Sequence, residues 1–235
     1  SSERLWNHML FVVRNGGMSL KRDEALIFHA CVPTNPDGEF RNTDLGGQQL
    51  AGGELFRKLE QIVHRTYREG AHTVSQDLDY YYWLWAHGDS PLFGKARMAT
   101  FERYFIEDPE THREEKNPYF QMVHDAEFCK KVGRAFGTSE DVLIINGHVP
   151  VKVEKGEDPV KRGGNAVTID GAFSESYGDH GYTLVMGPNA IRLAEHSHFE
   201  SIDHFLDCDD DMIPKLRILR DYGTPRTLEE TNEGE

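Results

Sequence analysis

Two short apolar runs, each containing a histidine near its end, bracket a long stretch of different period. The first is EALIFHACVP (Glu24 to Pro33) and the second is DVLIINGH (Asp141 to His148). Both are almost continuously apolar. The first is followed by the turn residues TNPDG, and the second runs into a glycine. That is the pattern of a buried strand ending in a loop. Between them the spacing is helical. Leu55, Leu59, Ile62, Val63 and Tyr67 share one face of a helix predicted from about Gln48 to Gly70. Leu78, Tyr81, Tyr82 and Trp85 repeat similarly over Gln76 to His87, and a third helix is predicted over Phe120 to Phe136, ending near Gly137. SPLFGK (Ser90 to Lys95) reads as a loop. After His148, AVTIDGAF (Ala166 to Phe173) reads as a strand. GYTLVMG and AIRLAEH read as a hairpin turning at Gly187, Pro188 and Asn189. The short connections make these last strands antiparallel. The order strand, helical block, strands implies an α/β core interrupted by a helical insertion. The acidic tail, Thr224 to Glu235, has almost nothing to bury and is expected to be disordered. No internal repeat is visible.

The chain has 235 residues, enough for one large domain or one and a half ordinary ones. Apolar residues at 38% and charged residues at 28% suit a soluble globular protein. A formal net charge of −14 argues against a nucleic-acid partner, because phosphate backbones require a basic surface. It leaves room for a small phosphorylated substrate, which a bound cation or a few local Lys and Arg can hold. Cys31, Cys129 and Cys208 lie far apart with no CxxC, which points to a reducing cytoplasm. No apolar run approaches the roughly 18 residues of a membrane span, so no membrane partner is expected. The N-terminus has no signal-peptide pattern and opens mid-pattern without an initiator Met, so a trimmed or processed chain is expected.

His29 and His148 stand at the ends of two core strands, where two imidazoles can converge on one metal ion. Gly147 is expected to let the backbone approach that point closely. By spacing alone, a surface or core role is the better account of any one of the twelve histidines. The surrounding residues carry more. FHACVP followed by INGHVPVK resembles the last two histidine motifs of the calcineurin-like metallophosphoesterases. SPLFGKARMATFERYFIEDPETHREEKNPYF (Ser90 to Phe120) and GHVPVKVEKGEDPVKRGGNAVTIDGAF (Gly147 to Phe173) resemble the class III, Firmicutes-type fructose-1,6-bisphosphatases. GYTLV and IRLAEHSHFES extend that resemblance, which covers about Trp6 to Ser201. Ala30 and Ala172 stand where that family is expected to have glycine, and Ala30 adds a methyl group beside the site.

The resemblance implies metal-dependent hydrolysis of fructose 1,6-bisphosphate to fructose 6-phosphate and phosphate, in gluconeogenesis. It implies a dinuclear site for a divalent metal, Mn²⁺, with His29 and His148 as ligands. In the superfamily the other ligands come from three earlier motifs, roughly Asp-x-His, Gly-Asp-x-x-Asp-Arg-Gly and Gly-Asn-His-Glu or Asp. None of these occurs here. The fold implied is therefore the C-terminal part of a metallophosphoesterase-like β-sandwich core flanked by helices. Its parts would be core at 1–47, helical insertion at 48–140, core at 141–205, and a C-terminal helix with acidic tail at 206–235. The missing upstream segment is expected to carry the catalytic residues, including an acid histidine and a phosphate-binding arginine, and to be a partner of this chain, which alone should be inactive and self-associate. A homo-oligomer is also expected.

The phosphate that stays on the sugar needs a grip, and Arg forks suit it. Lys95, Arg97 and Arg103 are candidates, with Lys152 and Lys161 behind them. For each, a solvated surface is an equal account. Tyr80, Tyr81, Tyr82, Trp83 and Trp85 read as helix packing or an oligomer contact rather than a sugar platform. Asp207, Asp209, Asp210 and Asp211 lack calcium-loop spacing and read as an acidic helix start. His196 and His198 read as surface residues and Cys31 as a buried thiol. Two alternatives stay open. One is a non-catalytic regulatory or scaffolding subunit of the same fold. The other is a related phosphoesterase acting on a dinucleoside polyphosphate or a phosphoprotein.

Overall fold

The computed structural model describes residues 2–69, 75–170, 180–196 and 214–234. Ala172, His198, Cys208 and the aspartates from Asp207 to Asp211 lie outside the described residues, as does the end of the strand predicted through Phe173.

The chain opens with helix α1, Glu3–Asn15, which the sequence reading did not anticipate. Ser2 caps it by accepting a hydrogen bond from the Leu5 N–H, and Glu3 places a negative charge in its first turn. Trp6 of this helix stacks on Tyr67. Strands β1 (Ser19–Arg22) and β2 (Ala25–Phe28) form a tight antiparallel pair. After the two short strands β3 (Thr43–Asp44) and β4 (Gln49–Leu50) comes the helical block. It comprises α2 (Gly52–Glu69), α3 (Gln76–Ala86), α4 (Thr100–Phe105), α5 (Tyr119–Met122) and α6 (Ala126–Phe136). Then follow β5 (Leu143–Asn146), β6 (Ala166–Thr168), β7 (Gly181–Met186), β8 (Ala190–His196) and β9 (Lys215–Asp221).

β5 lies parallel to β2, and β6 parallel to β5, giving a four-stranded sheet of order β1-β2-β5-β6. A parallel neighbour requires a long crossover, and the helical block between β2 and β5 provides it. Both faces of this sheet are covered, which is why its strands read as continuous apolar runs. Leu26, Phe28 and Ile144 point to one face and pack with Leu55, Phe56, Leu59 and Ile62 of α2 and with Phe128, Val132 and Phe136 of α6. Ala25, Leu143, Ile145 and Val167 point to the other and pack with Ile191 and Leu193 of β8. β7, β8 and β9 form a separate antiparallel sheet. The described residues thus stack as helices, mixed sheet and antiparallel sheet. Each fully buried Leu or Ile in these layers stabilises the fold by about 1.5–3 kcal/mol. Where α2 meets α6, Gly53 is required: a Cβ there would lie 2.4 Å from the Ala135 carbonyl oxygen.

Three expectations change. The helix predicted over Phe120 to Phe136 is two helices. Asp125 is extended and accepts from the Phe128 N–H at 2.8 Å, so it starts α6 afresh rather than continuing α5. The C-terminal helix expected within 206–235 gives way at Lys215–Asp221 to strand β9, which adds to the hairpin. The acidic tail expected to be disordered is ordered against the β1–β2 turn. Arg226 reaches both Asp23 and Glu24 at 3.0 Å, and the Tyr222 hydroxyl also donates to Glu24. The Asn232 N–H donates to Asp23 at 2.9 Å, and a capping box closes the turn from Thr227 to Glu230. Acidity misled here, because the tail's one arginine and its backbone meet carboxylates on the turn. In α3 the packed face differs from the one read from its period: Tyr81, Tyr82 and Trp85 are exposed, while Leu84 is buried and Tyr80 and Trp83 pack on the core. No helix among the described residues is long and apolar enough to cross a membrane.

Candidate functional site

His29 follows the last residue of β2 and His148 follows β5 by two residues. Because β2 and β5 are parallel neighbours, both histidines emerge at the same edge of the sheet. That is the carboxyl end of the strands, where α/β sheets place their sites. The His29 Nε2 and His148 Nδ1 lie 3.0 Å apart. The other nitrogen of His148, Nε2, donates to the Phe93 carbonyl oxygen at 2.8 Å, which leaves the Nδ1 lone pair facing His29. Desolvation holds the His29 imidazole below its usual pKa. The facing His148 ring adds to that, against the pull of Asp170.

The left-handed backbone at this edge belongs to His148, with φ of 68°, and not to Gly147. A Cβ on Gly147 would meet its neighbours at 3.7 Å or more, an ordinary contact. The expected need for glycine at 147 is therefore not steric. A non-glycine residue held at positive φ is strained, and such strain gathers at functional sites. The Gly147 N–H donates to the His29 carbonyl at 2.8 Å and ties the two loops together. Below them lies a buried polar network. The Asn146 amide donates to the Ala30 carbonyl at 3.0 Å and accepts from the Thr168 hydroxyl at 2.9 Å. Sequence reading missed Asn146, Thr168 and Asp170. A polar residue inside an otherwise apolar strand was the available signal for the first two.

The pair suits a metal ion. Two imidazole nitrogens each about 2.0–2.1 Å from one ion, and at right angles across it, would be about 3 Å apart. The observed separation and the fixed tautomer of His148 match that requirement. Among the described residues no group of three His, Cys, Asp or Glu side chains is placed to hold an ion, so the two histidines would supply only part of a ligand set.

The cations nominated for substrate are placed differently. Lys95 forms an ion pair with Glu114 at 2.9 Å. Arg97 donates to three carbonyls, those of Arg113, Glu110 and Thr111. Arg103 donates to the His112 carbonyl at 3.0 Å and lies 3.9 Å from Glu114. All three bind the segment from Gly94 to Lys116 to itself. Burial pushes Glu114 up, but the Ala99 N–H, the Lys95 ammonium and Arg103 outweigh it and hold the carboxyl below its usual range. A depressed carboxylate contributes stability above the unfolded value near 4.3 and loses it as pH falls through the folded value. Glu114→Gln is therefore expected to cost about 1–2 kcal/mol at neutral pH, by denaturant midpoint. The gap between variant and parent should close on acidification through that range. A gap that stays constant would overturn the assignment. The Lys152 backbone N–H donates to Glu157 at 3.0 Å, and its side chain is exposed. Cys31 is buried, and burial, with the Asp89 charge second, pushes its thiol up to about 12. His196 hydrogen-bonds Thr183 across the β7–β8 pair.

The sequence model described as Firmicute fructose-1,6-bisphosphatase matches residues 1–235, the whole chain. The chain belongs to the Firmicute fructose-1,6-bisphosphatase family. It is 36% identical over 242 residues to the class 3 fructose-1,6-bisphosphatase of Clostridium botulinum, a match covering 100% of this chain and 36% of that protein. It is 40% identical over 240 residues to that of Fusobacterium nucleatum, covering 99% and 37%. With that of Alkaliphilus metalliredigens it shares 37% over 244 residues, covering 100% and 37%. The chain thus spans little more than a third of the length of these fructose-1,6-bisphosphatase relatives. No solved structure matches it.

Proposed function

We propose that this chain carries the later part of the active site of a metal-dependent fructose-1,6-bisphosphatase, which hydrolyses fructose 1,6-bisphosphate to fructose 6-phosphate and phosphate in gluconeogenesis. The observation that carries the proposal is the His29–His148 pair at the shared strand edge, 3.0 Å apart, in a chain of this family. The two histidines would hold a divalent ion, Mn²⁺ in our reading, within a dinuclear site. Such an ion neutralises phosphoryl charge and lowers the pKa of a water molecule. The chain's own contribution is orientation. Phe93 fixes the tautomer of His148, Gly147 ties it to the His29 loop, and Asn146 anchors both loops to the sheet.

Two imidazoles leave most positions around an ion to other groups. We assign these to an upstream segment of the same enzyme, which would also hold the catalytic residues. On this reading the layers of helix, mixed sheet and antiparallel sheet are the later half of a metallophosphoesterase sandwich, and the enzyme works in the cytoplasm as a homo-oligomer. Lys95, Arg97 and Arg103 support the substrate side from behind, by holding the segment that ends at Lys116, and Lys152 stands beside it.

The test is to join this chain to that upstream segment, add Mn²⁺, and compare fructose 1,6-bisphosphate with a dinucleoside polyphosphate and a phosphopeptide. We expect kcat/KM for the sugar bisphosphate to exceed both by roughly 10²-fold or more. Preference for either competitor would replace the substrate. Bound metal with no hydrolysis of any of the three would favour the scaffolding role.

A further inference from the structure

A cavity of about 360 Å³ borders the same strand edge. Asn146, two residues before His148, forms part of its wall. The rest includes Lys116, His124, Lys161 and Arg162. These come from three separate stretches of chain: the end of the segment held by Arg97 and Lys95, the link between α5 and α6, and the loop before β6. In a chain with a net charge of −14, such a convergence of cations is not what composition alone would produce.

The cations are unspent. Among the described residues, no side-chain nitrogen of Lys116, Lys161 or Arg162 makes a hydrogen bond or an ion pair. Two carboxylates also line the cavity, and each is engaged. Both oxygens of Asp158 accept from Arg217 at 2.8 Å, and one of them also takes the Val160 N–H. Glu157 accepts the Lys152 N–H at 3.0 Å. Its charge offsets part of the field at Lys116, Lys161 and His124, and Lys152 opposes it at Lys116. Desolvation comes first in holding both lysines below their usual range, and the repulsion between Lys116 and Lys161 adds to it at Lys161. Desolvation also lowers His124, followed by the charges of Lys161 and Arg162. Like charges gathered in a partly desolvated hollow cost stability until an anion neutralises them. The volume is in the range of small-molecule sites.

We propose that this cavity holds the phosphate monoester that stays on the sugar, gripped by Lys116, Lys161 and Arg162, while the phosphate to be cleaved lies at the His29–His148 edge. The inference rests on the bisphosphate reading above. It gives the second phosphate a place that Lys95, Arg97 and Arg103, tied to their own segment, do not supply.

The experiment has two arms. In the first, Lys161→Gln and Arg162→Gln are compared with the parent in the complete enzyme, on fructose 1,6-bisphosphate and on p-nitrophenyl phosphate, which has no second phosphate. Each variant should raise KM for the bisphosphate by roughly tenfold to a hundredfold. Lys161→Arg should recover most of that loss, and kcat/KM for p-nitrophenyl phosphate should not move. An unchanged KM for the bisphosphate, or an equal loss on both substrates, would overturn the proposal. In the second arm the parent is acetylated with an amine-reactive ester, with and without fructose 6-phosphate, and read by mass spectrometry. Fructose 6-phosphate should slow modification of Lys116 and Lys161 several-fold and leave Lys21 unaffected. If the parent does not hydrolyse the bisphosphate, the functional reading fails and this arm still decides the cavity: protection supports a phosphate monoester there and no protection overturns it. Protection together with an unchanged KM counts against the proposal, since the cavity would then take a separate phosphorylated effector.

Discussion

Replacing His148 with alanine should strip the divalent ion from the complete enzyme and lower turnover of fructose 1,6-bisphosphate by at least about 10²-fold. Loss of partners that merely orient a metal ligand already costs about 10–100-fold, and His148 would be a ligand itself. His29→Ala should have an effect of the same order, because each ring presents one nitrogen to the same point 3.0 Å from the other. Neither change should unfold the protein. His29 is solvent-accessible and His148 half-buried, so no large apolar surface is lost. Alanine at 148 retains a Cβ at φ of 68°, so the backbone strain stays and the comparison reports on the ring alone. Metal content by elemental analysis and steady-state kinetics are the measurements. Full occupancy with normal turnover in both variants would remove the pair from the site.

The second large effect is expected at Asn146, and it is one of stability. Asn146→Leu leaves the Ala30 carbonyl and the Thr168 hydroxyl buried without their partner, and places an apolar side chain among polar atoms. Each orphaned buried group costs about 1–3 kcal/mol, so a total loss of roughly 2–5 kcal/mol is expected in denaturant unfolding. Asn146→Asp should be milder at the Thr168 side, where an acceptor remains, and should still lose the bond to Ala30. A loss under about 0.5 kcal/mol in Asn146→Leu would mean that the loops carrying His29 and His148 are anchored by other contacts.

The parts of this molecule that sequence reading reached are those governed by local pattern. Period alone located β2, α2, α3, β5 and the β7–β8 hairpin, because burial on one helix face or two sheet faces writes directly into residue order. The pairing of His29 with His148 was legible for the same reason, since both end buried strands. The cationic cavity was not, because Lys116, His124, Lys161 and Arg162 come from three stretches with no shared spacing. Lys161 was named only as a further candidate behind Lys95, Arg97 and Arg103. Lys95, Arg97 and Arg103 looked available because a charged side chain shows its sign in a sequence but not its partner. Three carbonyls that satisfy Arg97 leave no trace in residue type. Helix α1 was hidden by its mixed face, none of its residues being fully buried, and β9 by the charged residues along it.

The clasp between the tail and the β1–β2 turn has a consequence for the order in which the chain can assemble. Asp23 and Asn232, which bond each other through backbone and side chain, are separated by 209 positions. The turn itself can form as soon as its two strands have been made, since they are nearest neighbours in the chain. Its carboxylates, Asp23 and Glu24, nevertheless have no lasting partner until Tyr222 and Arg226 have left the ribosome. The turn is therefore completed only when a segment 198 to 203 positions later has been made, and that end of the sheet stays open in between.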